Sequence, residues 1–184
     1  MTSTPADTEG SNGPPDAELL QRHIAGDQHA FGELFRRHKD RMWAVALRTT
    51  RDPEMAADAV QDAFINAFRR AESFRGNAQV STWLYRIVVN ACLDRMRRIK
   101  PTADITDHDP PESRDHHRSV EVRIDVQAAL AKLPDTQRLA LVLVDMHGLS
   151  VAEAAQVLEV AEGTVKSRCS RGRAAMAEIL GVQS

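Results

Sequence analysis

Between Glu162 and Arg173 the chain reads EGTVKSRCSRGR, four cations and one acid with almost no bulky side chain. Wound at 100° per residue, Val165, Cys169, Gly172 and Met176 fall within one narrow arc and are expected to face inward. The opposite arc carries Thr164, Lys166, Ser167, Ser170 and Arg171. These hydrogen-bonding groups with little apolar surface suit the reading of base edges in a major groove. Arg168 and Arg173 fall to either flank, where a guanidinium reaches phosphates and holds a helix in register. A lone basic helix is more often a solvated face, and what precedes this one reverses that reading. Ser150 and Glu153 have capping-box spacing, and Val151, Ala154, Ala155 and Leu158 follow on one face. Only Val160 to Glu162 separate the two segments, the pattern of a helix-turn-helix.

A second constellation lies upstream. Asp52, Glu54, Asp58 and Asp62 occur with no cation between positions 52 and 62, and Asp58, Gln61 and Asp62 share one side of a helix. That face would repel a nucleic-acid backbone and suits a basic protein partner or solvent. From Leu84 to Lys100 the balance inverts: Arg86, Arg95, Arg97, Arg98 and Lys100 stand against Asp94. Trp83 and Tyr85 lie near the start of this basic stretch, beside the loop Arg75-Gly76-Asn77-Ala78-Gln79. Aromatic stacking surfaces, loop amides and arginines together form the chemistry of single-strand binding. For Trp83 a place in the core is an equally good reading.

These groups need elements to hold them, and the composition points to helices. The 184 residues are 42% hydrophobic, 27% charged and only 4% aromatic, with abundant alanine, which predicts small, closely approaching helices. Residues 1–15 are too polar to order themselves and read as a flexible tail. Ala30, Leu34, Phe35, His38 and Met42 form a buried stripe, and Asp52-Pro53 starts a helix lined by Ala56, Val60, Ala63, Phe64 and Ala67. Another helix is expected from Ser81 or Thr82 to Arg98. Residues 101–120 lose the stripe; from Pro101 to Glu121 the chain holds six acids against Arg114 and Arg118, a Pro-interrupted acidic linker. Periodicity resumes at Val122, Val126, Ala129, Leu130 and Leu133. It continues through Leu139, Val142, Leu143 and Met146 as a helix with Asp135 as its cap and Gly148 as its stop. The fold class is therefore all-α, two small helical domains (16–100 and 121–184) joined by a flexible acidic linker.

A net charge of −2 confines nucleic-acid contact to local patches. Cys92 and Cys169 belong to no metal-binding or disulfide pattern, and Cys169 reads as a small core residue. No apolar run is long enough to cross a membrane and no signal peptide is visible, so a cytoplasmic protein is expected.

Four segments in order, AADAVQDAFINAFRRAESFRG, STWLYRIVVNACLDRMRR, LPDTQRLALVLVDMHGLSVAEAA and EGTVKSRCSRGRAAM, resemble the signature segments of extracytoplasmic-function sigma factors of the bacterial sigma-70 family. The similarity covers roughly residues 17 to 100 and 120 to 180. It implies a non-enzymatic transcription initiation factor without a cofactor, with a sigma region 2 helical bundle that recognises and melts the −10 element and a region 4 helix-turn-helix that reads the −35 element. By this resemblance Asp58, Gln61 and Asp62 grip the coiled-coil clamp in the largest subunit of core RNA polymerase, whose flap is a second contact. Arg75, Asn77 and Gln79 form the pocket for a flipped −10 base, with Trp83, Arg86 and Asn90 near the strand fork. Lys166, Ser167, Ser170 and Arg171 take the −35 reading positions. The linker threads toward the polymerase active centre, and an anti-sigma factor, often membrane-bound, is implied as a further partner. One departure stands out: Ala161 occupies a place where Ser, Thr or Asp would cap the recognition helix, leaving Glu162 to support its first turn through the helix dipole.

Two other readings compete. A helix-turn-helix regulator of another kind would account for residues 150–180 and leave the aromatic-basic helix idle, and no alternating strand pattern exists to build a receiver half. A metal-dependent hydrolase would need His108, Asp109, His116 and His117 as ligands, within a Pro-broken stretch that cannot fix their geometry.

Overall fold

The computed structural model describes residues 13–99 and 121–181. The acidic linker, residues 1–12 of the tail and the candidate ligands His108, Asp109, His116 and His117 lie outside the described residues. The first half holds α1 (Asp16–Ile24), α2 (Ala30–Thr50), α3 (Pro53–Arg69), a 3-10 turn (Ala71–Ser73) and α4 (Val80–Ile99). The second holds α5 (Glu121–Ala131), α6 (Asp135–Leu141), a π turn (Val142–Met146), α7 (Val151–Leu158) and α8 (Glu162–Leu180). No strand occurs among the described residues.

Local chemistry accounts for most boundaries. The Asp52 side chain accepts hydrogen bonds from the Glu54 and Met55 amides, with Pro53 at the first helical position, so α3 starts where its cap residues dictate. The capping box at α7 is complete: Ser150 Oγ accepts from the Glu153 amide and the Glu153 carboxylate accepts from the Ser150 amide. As expected from Ala161, α8 has no side-chain cap and carries Glu162 in its first turn. The Asp135 cap is not realised. Pro134 takes the N-cap position with no side-chain bond, and Asp135, one residue inside, accepts from Arg138 Nη2 at 2.6 Å. The apolar run from Leu139 is helical, but its last turn, Val142–Met146, widens to π geometry before Gly148 closes it at φ +71°.

Packing in the first half relies on small side chains. Ala56, Ala59, Ala63 and Ala67 are buried on one stripe of α3 and let it lie close to α2 and α4. Of the expected α2 stripe, Ala30, Leu34, His38 and Met42 are buried, whereas Phe35 is 42% exposed and meets Phe64 edge-on with ring centroids 4.8 Å apart. Its position lies at the margin of the stripe, where a ring covers the seam without entering the core. In the second half Val165 and Cys169 on α8 are buried, as is Gly172. A β-carbon at Gly172 would lie 2.9 Å from Leu141 Cδ1, so the bare backbone permits α6 and α8 to cross closely.

The halves pack together, α7 against α4 and α6 against the end of α2. Arg138, 1% exposed, donates from Nε to the Arg48 carbonyl at 3.1 Å and from Nη2 to the Thr49 carbonyl at 3.2 Å, both near the C-terminus of α2. Its Nη1 donates to Leu133 within its own half. Arg51 Nη1 reaches the Ala131 carbonyl at 2.8 Å. Tyr85, 4% exposed, places its hydroxyl 3.1 Å from His147 Nδ1. Burial, with the positive charges of Arg48 and Arg41 added, pushes the His147 pKa down to about 4.

Two measurements test this packing. Gly172→Val should cost about 1–3 kcal/mol through the clash with Leu141, read as a lower urea midpoint; an unchanged midpoint would show that Leu141 moves freely aside. Because the imidazole of His147 titrates lower folded than unfolded, the unfolded chain takes up its proton first. Stability therefore falls as pH drops from about 6.5 toward 4, by about 1–2 kcal/mol once solvent screening of this half-buried group is allowed for. His147→Gln should flatten that part of the pH profile, and equal profiles for the two proteins would clear His147 of the effect.

Candidate nucleic-acid interface

The loop that joins the 3-10 turn to α4 bends at Gly76, whose φ of +72° is one that an L side chain resists. The loop and helix border an open hollow of about 440 Å³ lined by Ser73, Phe74, Arg75, Asn77, Ala78, Thr82, Trp83 and Arg86 from the first half. Gln156 of α7 completes the wall. Four residues expected near a −10 base, Arg75, Asn77, Trp83 and Arg86, thus share one hollow. Trp83 combines both of its readings: it is half-buried, packs on Phe74 with centroids 5.5 Å apart, and still lines the cavity. Such a site offers a ring face, guanidinium groups and amide hydrogen-bonding groups to an unstacked base.

The other two −10 candidates sit elsewhere. Gln79 is exposed at the helix entrance, where its side-chain oxygen is 3.5 Å from Ser81 Oγ. Asn90 lines a second hollow of about 250 Å³ between α3 and α4, with Asp62, Asn66, Asp94, Arg95 and Arg98. Tyr85, which the sequence offered as a second stacking aromatic, is buried against His147 and presents no ring to solvent.

Asp58, Gln61 and Asp62 are exposed together on α3. Arg95 of α4 reaches across to them, 3.4 Å from Asp58 and paired also with Asp62. In sequence this cation belongs to the basic stretch, and only the packing of α4 beside α3 brings it to the acidic face.

In the helix-turn-helix, Glu159 in the left-handed region (φ 55°) ends α7 and turns the chain into α8. Lys166, Ser167, Ser170 and Arg171 are exposed, Thr164 and Arg168 partly so. Ser167 Oγ donates to the Thr164 carbonyl at 3.1 Å. Arg173, expected to reach a phosphate, is here paired with Asp145 from the π turn, which accepts from both Nε and Nη2, at 2.9 and 2.7 Å. That pairing raises the Arg173 pKa, first through the hydrogen bond and then through the charge of Asp145. Cys92 is fully buried and its thiol is pushed up to about 12 by burial; Cys169 is shifted the same way for the same reason. Both are free cysteines in packed surroundings, so each reads as a core side chain.

Comparison with known proteins now assigns the two halves. Residues 34–102 match Sigma-70 region 2 and residues 123–176 match Sigma-70, region 4. The chain is 55% identical over 168 residues to the ECF RNA polymerase sigma factor SigM of Mycobacterium tuberculosis, covering 90% of this chain and 85% of that protein. It is 35% identical to the ECF RNA polymerase sigma factor SigW of Bacillus subtilis, over 82% of this chain and 89% of that one. Among solved structures it resembles CnrH in complex with the cytosolic domain of CnrY, with TM-score 0.69 and 27% identity over 92% of this chain and 99% of that chain. It also resembles RpoE of Bartonella quintana in complex with the anti-sigma factor NepR, with TM-score 0.68 and 26% identity over 85% and 99%. A region 2 bundle followed by a region 4 helix-turn-helix defines the class, the initiation factors of sigma-70 type. Within it the chain belongs to the extracytoplasmic-function group, as a sigma factor for transcription initiation. The two competing readings of the sequence are not favoured by these matches. Among the described residues no group of three or more His, Cys, Asp or Glu is placed to hold a metal, and no helix is long and apolar enough to cross a membrane.

Proposed function

We propose that this sigma factor joins core RNA polymerase in the cytoplasm and divides promoter recognition between residues 16–100 and 121–184, with residues 101–120 as the connecting segment inside the polymerase. The cavity lined by Arg75, Asn77, Trp83 and Arg86 is the observation that carries the reading, since it combines stacking, hydrogen-bonding and cationic groups at one opening. A flipped base of the −10 element enters there, with Gln79 at its rim and Asn90 one hollow further along the separated strand. Thr164, Lys166, Ser167, Ser170 and Arg171 meet base edges of the −35 duplex in the major groove, and Arg168 holds a flanking phosphate. Arg173 reaches a phosphate only by exchanging Asp145 for it, so its contribution comes after that ion pair opens.

The exposed Asp58, Gln61 and Asp62 face a basic coiled coil of the polymerase, the region 4 half meets the flap, and Arg95 holds the two carboxylates in register for the clamp. An anti-sigma factor is the expected regulator, given that the two solved relatives were captured with such partners or a cytosolic domain bound; its attachment to the membrane is part of the proposal.

In vitro transcription with core polymerase on pooled genomic DNA, with the RNA starts sequenced, tests the whole reading: new starts should share spaced −35 and −10 motifs. Arg171→Ala should weaken promoter binding by about 1–3 kcal/mol and relax the −35 preference; unchanged selectivity would remove it from the reading positions. Asp62→Arg should lower affinity for core polymerase and leave duplex −35 binding intact, and equal core affinity would withdraw the clamp assignment.

A further inference from the structure

Arg41 and Arg48 belong to none of the polymerase, −10 or −35 groups placed above. They stand two turns apart on one stripe of α2. Ala44 neighbours both on the helix surface, so only a methyl group fills the space between their stems. The second half packs against this part of α2 through α6 and the π turn. His147, the residue after the π turn, is half-buried there. Its Nδ1 lies 3.1 Å from the Tyr85 hydroxyl of α4, and the two rings meet edge to face at 5.5 Å. Burial first, then the positive charges of Arg48 and Arg41, keeps the imidazole neutral at pH 7.

Two buried nitrogens of this cluster, His147 Nε2 and Arg48 Nε, have no hydrogen-bond partner. With the Tyr85 hydroxyl donating to Nδ1, the proton of the neutral ring sits on Nε2. Both nitrogens are then N–H donors, and a buried donor without an acceptor is destabilising. The two guanidinium groups favour an acceptor that carries negative charge. Arg41 is exposed, which leaves the cluster an entrance on that side.

We propose that Arg41, Arg48 and His147 form a binding site for a phosphate group, whose oxygens accept from Arg48 Nε, His147 Nε2 and the Arg41 guanidinium. A phosphate group meets each requirement at once: it is anionic, it accepts from several directions, and it matches the fork of an arginine. Region 2 supplies the two cations and region 4 the imidazole donor. The same chemistry is offered by inorganic phosphate and by the terminal phosphate of a nucleotide.

The test follows the urea midpoint of the full-length protein at pH 7 as sodium phosphate is added, against sodium chloride at equal ionic strength. A ligand of the folded chain raises the midpoint in proportion to its binding. Phosphate should raise it saturably beyond chloride and should shift the ring-proton resonances of His147. Arg48→Gln and Arg41→Gln should each weaken phosphate binding about tenfold or more, the scale of losing one charged hydrogen bond. Lys39→Gln, which removes the same charge from the opposite side of α2, should leave it within about twofold. Equal effects of phosphate and chloride would overturn the site, and so would a phosphate effect that survives in the Arg41→Gln, Arg48→Gln double variant. ATP without magnesium, titrated in the same way, separates the two sources: tighter binding than inorganic phosphate, lost in the double variant, assigns the site to a nucleotide, and weaker binding assigns it to the free ion.

Discussion

Arg138 holds a guanidinium almost entirely out of water, and the relation between the two halves follows from how that charge is satisfied. Burial lowers its pKa and the neighbouring Asp135 works in the opposite direction. A buried cation with donors in a fixed fork needs acceptors on several sides. Leu133 and Asp135 supply them from its own half, and the carbonyls of Arg48 and Thr49 supply the rest from the last turn of α2. Those carbonyls are among the groups a helix terminus leaves without intrahelical partners, at the negative end of its dipole. One side chain thus caps a helix of region 2 and docks region 4.

α4 carries the consequences. Val88 and Cys92 are buried within the combined core, Tyr85 and Thr82 turn to the second half, and Trp83 and Arg86 line the cavity. Further along, Arg95 leaves the basic stretch to neutralise Asp58 and Asp62. A single helix therefore serves the bundle, the interdomain seam, the candidate single-strand site and the acidic face. This crowding explains why its aromatic residues divide between roles: the ring of Trp83 keeps an open edge, and that of Tyr85 is consumed by packing.

The region 4 half shows the same economy at a smaller scale. Gly172 brings α8 against Leu141, and the π turn that follows α6 projects Asp145 beside Arg173. The recognition helix is in this way aligned by one absent side chain and one ion pair, and it starts without a side-chain cap. Its exposed face consists of short polar groups and two long cations, a surface that relies on the rigidity of the supporting helices and not on its own bulk.

What the sequence by itself determined was whatever depends on neighbours a few residues away. The Asp52-Pro53 start, the Ser150–Glu153 capping box, the uncapped Ala161 and the inward arc of Val165, Cys169 and Gly172 follow from local hydrogen bonding and helical period, and all are present. The order of the four motif segments likewise identified the family, because they lie along the chain. The tertiary structure alone decided where long side chains spend their charge. Arg173 turns to Asp145, Arg95 joins the acidic face, and Arg86 meets Glu159. An arginine reaches far enough to choose among partners tens of residues distant, and no spacing rule within one helix encodes which of them packing will bring close.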